Sequence, residues 1–83
     1  MANLYTGVIK TNGEYKKVSE LTGITFTTGT DYTIQIQNSA YIREGTIGDG
    51  FFINNSNPFA YKSNGEDLYI KVDYGYCVIN IAD

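Results

Sequence analysis

Tyr32-Thr33-Ile34-Gln35-Ile36-Gln37 alternates apolar and polar side chains with a period of two. In an extended chain that spacing sends every second side chain to the same side. Tyr32, Ile34 and Ile36 then share one face, and Thr33, Gln35 and Gln37 share the other. Leu68 to Asp73 repeats the pattern with Leu68, Ile70 and Val72, and Cys77 to Ile81 repeats it with Cys77, Ile79 and Ile81. Strands with one apolar face belong to half-buried antiparallel sheets. The predicted fold class is all-β.

Working outward from these segments, turn signals divide the rest of the chain. Leu4 to Lys10 and Tyr15 to Val18 flank Thr11-Asn12-Gly13. Asn-Gly between two strand-like runs predicts a hairpin, with Ser19 to Gly23 as a connecting turn. Tyr15, Val18 and Leu21 recur every three residues, so one helical turn before Gly23 is the competing reading. Ile24 to Thr28 is short, β-branched and Thr-rich, and Gly29-Thr30-Asp31 closes it. Ala40 to Glu44, Phe51 to Asn54 and Phe59 to Lys62 read as further strands. Between them lie Gly45 to Gly50, Asn55-Ser56-Asn57-Pro58 and Ser63-Asn64-Gly65-Glu66, while Tyr74-Gly75-Tyr76 turns the chain into its last strand. Turn signals every roughly 8–12 residues predict a single domain over 1–83, a small antiparallel β-sandwich or partly open barrel of about seven to eight short strands.

A chain of 83 residues buries only roughly 60% of its unfolded surface, which favours added support from metals, disulfides or association. Cys77 stands alone, so an internal disulfide is excluded, and with no His and no Cys cluster a zinc site is not expected. Partner subunits remain as the expected support. The net charge of −3, with Lys16-Lys17 as the only basic pair, argues against a nucleic-acid partner. No run reaches the roughly 20 apolar residues of a membrane span, so no membrane insertion is expected. Met1 to Thr6 shows neither the charged nor the apolar part of a secretory signal. Synthesis in a cytoplasm is therefore expected, with a reduced thiol and an incidental sequon at Asn54-Asn55-Ser56.

Reactive chemistry is scarce. Glycoside hydrolysis needs paired carboxylates, one with a pKa raised by burial. Glu14, Glu20, Glu44, Asp49, Glu66 and Asp67 instead sit mostly beside Gly or Asn in predicted turns. Asp49 with loop carbonyls is a weak match to a calcium loop, and nothing follows the EF-hand pattern. Gly45 to Gly50 lacks the GK[ST] of a phosphate loop and reads as a turn requiring positive φ. Cys77 has no His to activate it and lies on the Ile79/Ile81 face, as core filler. No enzyme and no cofactor are expected.

Charged residues make up 18% of the chain, against roughly 25% in ordinary domains. Eight Tyr and four Phe stand among many Thr and Asn, a surface that can meet protein without stripping water from many charges. Gln35 and Gln37 form an uncharged strand face expected to meet another chain or a covering loop, with ordinary solvation as the alternative. Tyr69, Lys71 and Asp73 look ordinarily solvated. Phe51, Phe52, Phe59 and Tyr61 are expected to divide between core and interface around the Gly45–Gly50 loop. Tyr41, Arg43, Tyr74 and Tyr76 complete the candidate contacts.

The order Tyr32-Thr-Ile-Gln-Ile-Gln-Asn, Tyr41-Ile-Arg-Glu-Gly, Gly50-Phe-Phe-Ile, Asn57-Pro-Phe, Asp67-Leu-Tyr-Ile-Lys-Val and Val78-Ile-Asn-Ile resembles small β-sandwich virion-associated proteins of tailed bacteriophages. The resemblance spans about Ile24 to Ile81 and departs where Phe59, rather than Gly, follows Pro58. It implies a non-enzymatic structural protein of the virion, a capsid decoration or head-fibre component. It also implies homo-oligomers, trimers favoured, and contacts with other virion proteins. Two rival readings are a receptor- or glycan-binding module, using Tyr with Asn and Asp against a host-surface sugar, and a small phage-encoded inhibitor of a host defence protein.

Overall fold

The computed structural model describes residues 3–46, 48–55, 58–73 and 75–83. The strands are β1 (Asn3–Ile9), β2 (Lys16–Lys17), β3 (Asp31–Gln37), β4 (Ser39–Glu44), β5 (Phe51–Asn54), β6 (Phe59–Lys62), β7 (Leu68–Lys71) and β8 (Cys77–Ala82), with one short helix, α1 (Val18–Thr22). They form two four-stranded antiparallel sheets, β1-β8-β3-β6 and β2-β7-β4-β5. The architecture is a small β-sandwich. Alternation explains it: Tyr32, Ile34, Ile36, Cys77, Ile79 and Ile81 from one sheet meet Ala40, Ile42, Ile53, Leu68 and Ile70 from the other. Ile34, Ile42, Ile70, Ile79 and Ile81 are fully buried, each contributing about 1.5–3 kcal/mol of apolar transfer.

The predicted hairpin about Asn12-Gly13 does not form. Both residues do adopt positive φ, 57° and 78°, as a tight turn requires. The flanking strands nevertheless part company, β1 pairing with β8 and β2 with β7. What holds this crossing is Thr11, fully buried. Its hydroxyl donates to the Val72 carbonyl at 3.1 Å and accepts from the Val72 N–H at 2.8 Å, while Gly13 N–H donates to the same carbonyl at 3.1 Å. One side chain thereby stands in for a missing strand partner at the end of β7.

Ser19 to Gly23 is likewise not a simple turn. Val18–Thr22 is helical, with Val18 buried, and Gly23 closes it at φ 77°, its N–H donating to the Ser19 carbonyl at 2.8 Å. The three-residue recurrence was the informative signal there. Ile24 to Thr28 forms no strand. Its backbone is used instead by side chains and turns, as where Thr27 N–H donates to the Tyr32 hydroxyl at 2.7 Å.

Candidate interaction surfaces

The two sheets turn outward faces of different chemistry. On β1-β8-β3-β6 the register sets Thr6, Asn80 and Gln35 in one row and Val8, Val78 and Gln37 in the next. Thr33 and Ala60 oppose each other toward the β6 edge. Along these four strands, charge enters only at one end, where Asp31 stands opposite Lys62. Val8 is 58% exposed. A groove of about 510 Å³ runs along this face, lined by Gln35, Gln37, Asn38, Asn55, Pro58 and Asn80 among others. Thr6 Oγ1 donates to Asn80 Oδ1 at 2.6 Å and fixes that edge of it.

The outward face of β2-β7-β4-β5 is aromatic and cationic. Tyr69 lies beside Arg43 in one row, and Lys71, Tyr41 and Phe52 form another. Tyr15 crosses over them. The Arg43 guanidinium stands 3.9 Å from the Tyr15 ring centre and 5.9 Å from that of Tyr69. Lys71 Nζ stands 5.1 Å from Tyr15 and 5.0 Å from Tyr41, and such contacts contribute about 0.5–1 kcal/mol each at exposed sites. Lys71 and Tyr69 are therefore half-buried and engaged, which corrects the expectation of ordinary solvation. A long aliphatic stem lets Lys cover apolar surface while its charge stays near water.

Gly48, Asp49 and Gly50 pack onto this second face. The Tyr15 hydroxyl donates to the Asp49 carbonyl, and Arg43 Nη1 donates to the Gly48 carbonyl at 2.6 Å. Gly50, at φ 83°, lets the chain come down beside β4, since a Cβ there would lie 2.8 Å from the Ile42 carbonyl oxygen. Arg43 Nε is buried with no hydrogen-bond partner among the described residues. Nearby, Lys17 lies 3.4 Å from Asp67. Its hydrogen bond to Asp67, followed by that carboxylate's charge, raises the Lys17 pKa above its ordinary value.

One end of the sandwich carries carboxylates. Glu44 pairs with buried Leu68, and its Oε2 is buried with no hydrogen-bond partner among the described residues. It is thus not a solvated turn residue. Glu44, Glu66 and Asp67 line a depression of about 400 Å³. Burial is the main cause that lifts the neighbouring Tyr61 hydroxyl above its ordinary value, and the Glu44 and Glu66 charges add to it. Among the described residues no three Cys, Asp or Glu side chains are grouped to hold a metal ion.

The expected contact residues scatter over this framework. Gln35 and Gln37 are exposed on the uncharged face, and Tyr41, Arg43 and Phe52 lie on the aromatic one. Phe51 is 69% exposed at the end of edge strand β5. Tyr76 is exposed, and its carbonyl accepts from Asn38 Nδ2 at 2.9 Å. Tyr74 lies outside the described residues. Phe59 and Tyr61 belong to the core instead: their rings stack at 6.2 Å, and Phe26 meets Tyr61 edge-on at 5.4 Å and Tyr32 at 4.9 Å. Strand parity explains this, because Phe59 and Tyr61 pair with the inward Ile34 and Tyr32.

Sequence reasoning missed Thr6, Val8, Val78 and Asn80 on the first face and Tyr15 on the second. Alternation in β8 places Val78 and Asn80 outward, so their exposure was readable. Their alignment with Gln35 and Gln37 depends on register between distant strands. No protein-family model, no curated protein and no solved structure matches this chain.

Proposed function

We propose that this chain is a non-enzymatic structural module that docks the uncharged outward face of its β1-β8-β3-β6 sheet onto protein surfaces, its own copies included, within a bacteriophage particle. The observation that carries the docking reading is the neutrality of that face, where Thr6, Val8, Val78, Asn80, Gln35 and Gln37 form two adjacent rows without a charge. Interface cores are depleted of charge because each ion brought in must lose water. Four strands about 4.8 Å apart, of 7, 6, 7 and 4 residues, offer about 380 Å² of flat area, nearly half of the ~800 Å² per partner that a stable interface hides. The virion setting and the trimeric order rest on the resemblance of the Ile24 to Ile81 strand pattern to phage β-sandwich proteins.

The test is sedimentation of the purified chain from low to high micromolar concentration, beside Val78→Lys and Gln35→Lys. Reversible association of the natural chain, abolished by either Lys, is expected. Gln35 is exposed and Val78 half-buried on the outward face, where a Lys stem can lie along the sheet with its charge in water, so the variants stay folded. A natural chain that remains monomeric at high micromolar concentration overturns the self-docking reading.

A further inference from the structure

We infer that the β4–β5 side of the aromatic face is a binding site for a neutral pyranose sugar, seated on Phe52 and Tyr41. It is a second surface, on the sheet opposite the proposed docking face, and its floor and charged wall are carried by different residues, Asn38 alone lining both.

A depression of about 200 Å³ opens there, lined by Asn38, Ser39, Ala40, Tyr41, Phe52 and Asp73. Its size suits one sugar ring rather than an extended organic ligand, which occupies roughly 300–1,000 Å³. The floor is aromatic. Phe52 is 56% exposed, and its ring meets Tyr41 at 5.3 Å with 63° between the planes. One ring edge thus props the other, leaving an apolar surface in water with a fixed tilt. The C–H face of a pyranose is polarised outward and is attracted to the negative face of such a ring.

The wall supplies hydrogen-bonding groups of the complementary kind. Asp73 is exposed, and its nearest cation, Lys71, stands 3.9 Å away, too long for a hydrogen bond. Its carboxylate therefore retains the capacity to accept from two neighbouring hydroxyls at once. Asn38, held in the left-handed region at φ 74°, donates its amide N–H to the Tyr76 carbonyl at 2.9 Å. That bond orients the side chain, and no described residue donates to its amide oxygen. The Ser39 hydroxyl likewise has no partner among the described residues and can donate or accept.

The charge pattern selects among sugars. Among the described residues Asp73 is the only charged group lining the depression, so a carboxylated or sulfated sugar would meet repulsion. Lys71, the nearest cation, is engaged with Tyr15 and Tyr41. An apolar floor and an acceptor-rich wall, with the one nearby cation already set between Asp73 and the Tyr15 and Tyr41 rings, together specify a neutral sugar with adjacent hydroxyls.

The test is a titration of the full chain, followed residue by residue by amide NMR, with glucose, galactose, mannose, N-acetylglucosamine and, as the anionic control, glucuronate. At least one neutral sugar is expected to give saturable shifts centred on Ser39, Tyr41, Phe52 and Asp73, with Kd near 1 mM, as a single small contact allows. Phe52→Ala and Asp73→Asn should each weaken binding about tenfold, Phe52→Tyr should retain it, and Val78→Lys on the opposite sheet should leave it unchanged. Absence of saturable shifts with every neutral sugar overturns the proposal. So does equal binding by Phe52→Ala, or tighter binding of glucuronate. None of these outcomes bears on sedimentation, so this site and the docking face stand or fall separately.

Discussion

Replacing Thr11 by Val keeps the shape of a fully buried side chain and removes one hydroxyl. In the native chain that hydroxyl accepts from the Val72 N–H at 2.8 Å and donates to the Val72 carbonyl at 3.1 Å. Val72 is itself buried, so water cannot replace either bond. The carbonyl keeps a donor, because Gly13 N–H reaches it at 3.1 Å. The amide of Val72 has no such reserve. An orphaned buried donor costs about 1–3 kcal/mol, so Thr11→Val should lose about 2 kcal/mol. Thr11→Ser makes the opposite cut, keeping the hydroxyl and deleting a methyl, at about 0.8 kcal/mol. Urea unfolding resolves the two: with a slope of about 1 kcal/mol per molar, the midpoint should fall by about 2 M for Val and about 1 M for Ser. The thermal midpoint should drop by about 8–16 °C for Val. If Thr11→Val unfolds within about 0.5 kcal/mol of the natural chain, or Thr11→Ser is the weaker of the two, the hydroxyl does not bridge the crossing.

Two further outcomes follow from the same structure. Gly50→Ala should cost more than the roughly 1–2 kcal/mol of a left-handed non-glycine residue, because its Cβ would press on the Ile42 carbonyl. Gly48→Ala, at φ 96° with nothing within 4 Å of the added atom, should cost only the conformational part. Equal thermal midpoints for the two variants would contradict the close approach of this loop. The alkaline limb of stability is the other. Burial pushes the Cys77 thiol from 9.0 to about 11, so the folded chain holds its proton longer than the unfolded chain does. Its contribution is complete below pH 9, declines as pH rises toward 11, and amounts to roughly 2–3 kcal/mol in all. Tyr61, also raised by burial, acts in the same direction. Urea midpoints between pH 7 and pH 11 should fall less steeply for Cys77→Ala than for the natural chain, and parallel profiles would refute the assignment to Cys77.

Alternation made β3, β7 and β8 legible, and with them the core, because side-chain parity is a local property that burial of one face enforces. Phe51–Asn54 and Phe59–Lys62 also lie where turn residues bounded them. The first twenty-three residues were less legible for a nameable reason. Asn12 and Gly13 carry correct turn chemistry, but which strands the turn joins is decided by Val72, some sixty residues away, through Thr11. The helix of Val18–Thr22 was present as a three-residue recurrence that strand-like neighbours outweighed. The outward faces were half legible. Gln35 and Gln37 announced an uncharged surface within their own strand, whereas the alignment of Thr6 with Asn80 is a matter of register between chain ends. Lys71 looked solvated because nothing local reveals that Tyr15 lies across it. Phe52 and Asp73 share a depression only because β4 sits between β5 and β7.

The back-to-back placement of the two outward faces bears on strength as well as specificity. A partner seated on β1-β8-β3-β6 leaves Tyr41 and Phe52 uncovered, since a sandwich interior about 10 Å thick separates the sheets. Copies gathered through one face would therefore present many identical shallow sites on the other. A contact too weak to matter singly becomes intramolecular after the first one forms, and linked sites of this kind can gain a factor of 10²–10⁴ in apparent affinity. A small chain with a shallow site then needs no deep pocket to hold a surface: repetition supplies the grip.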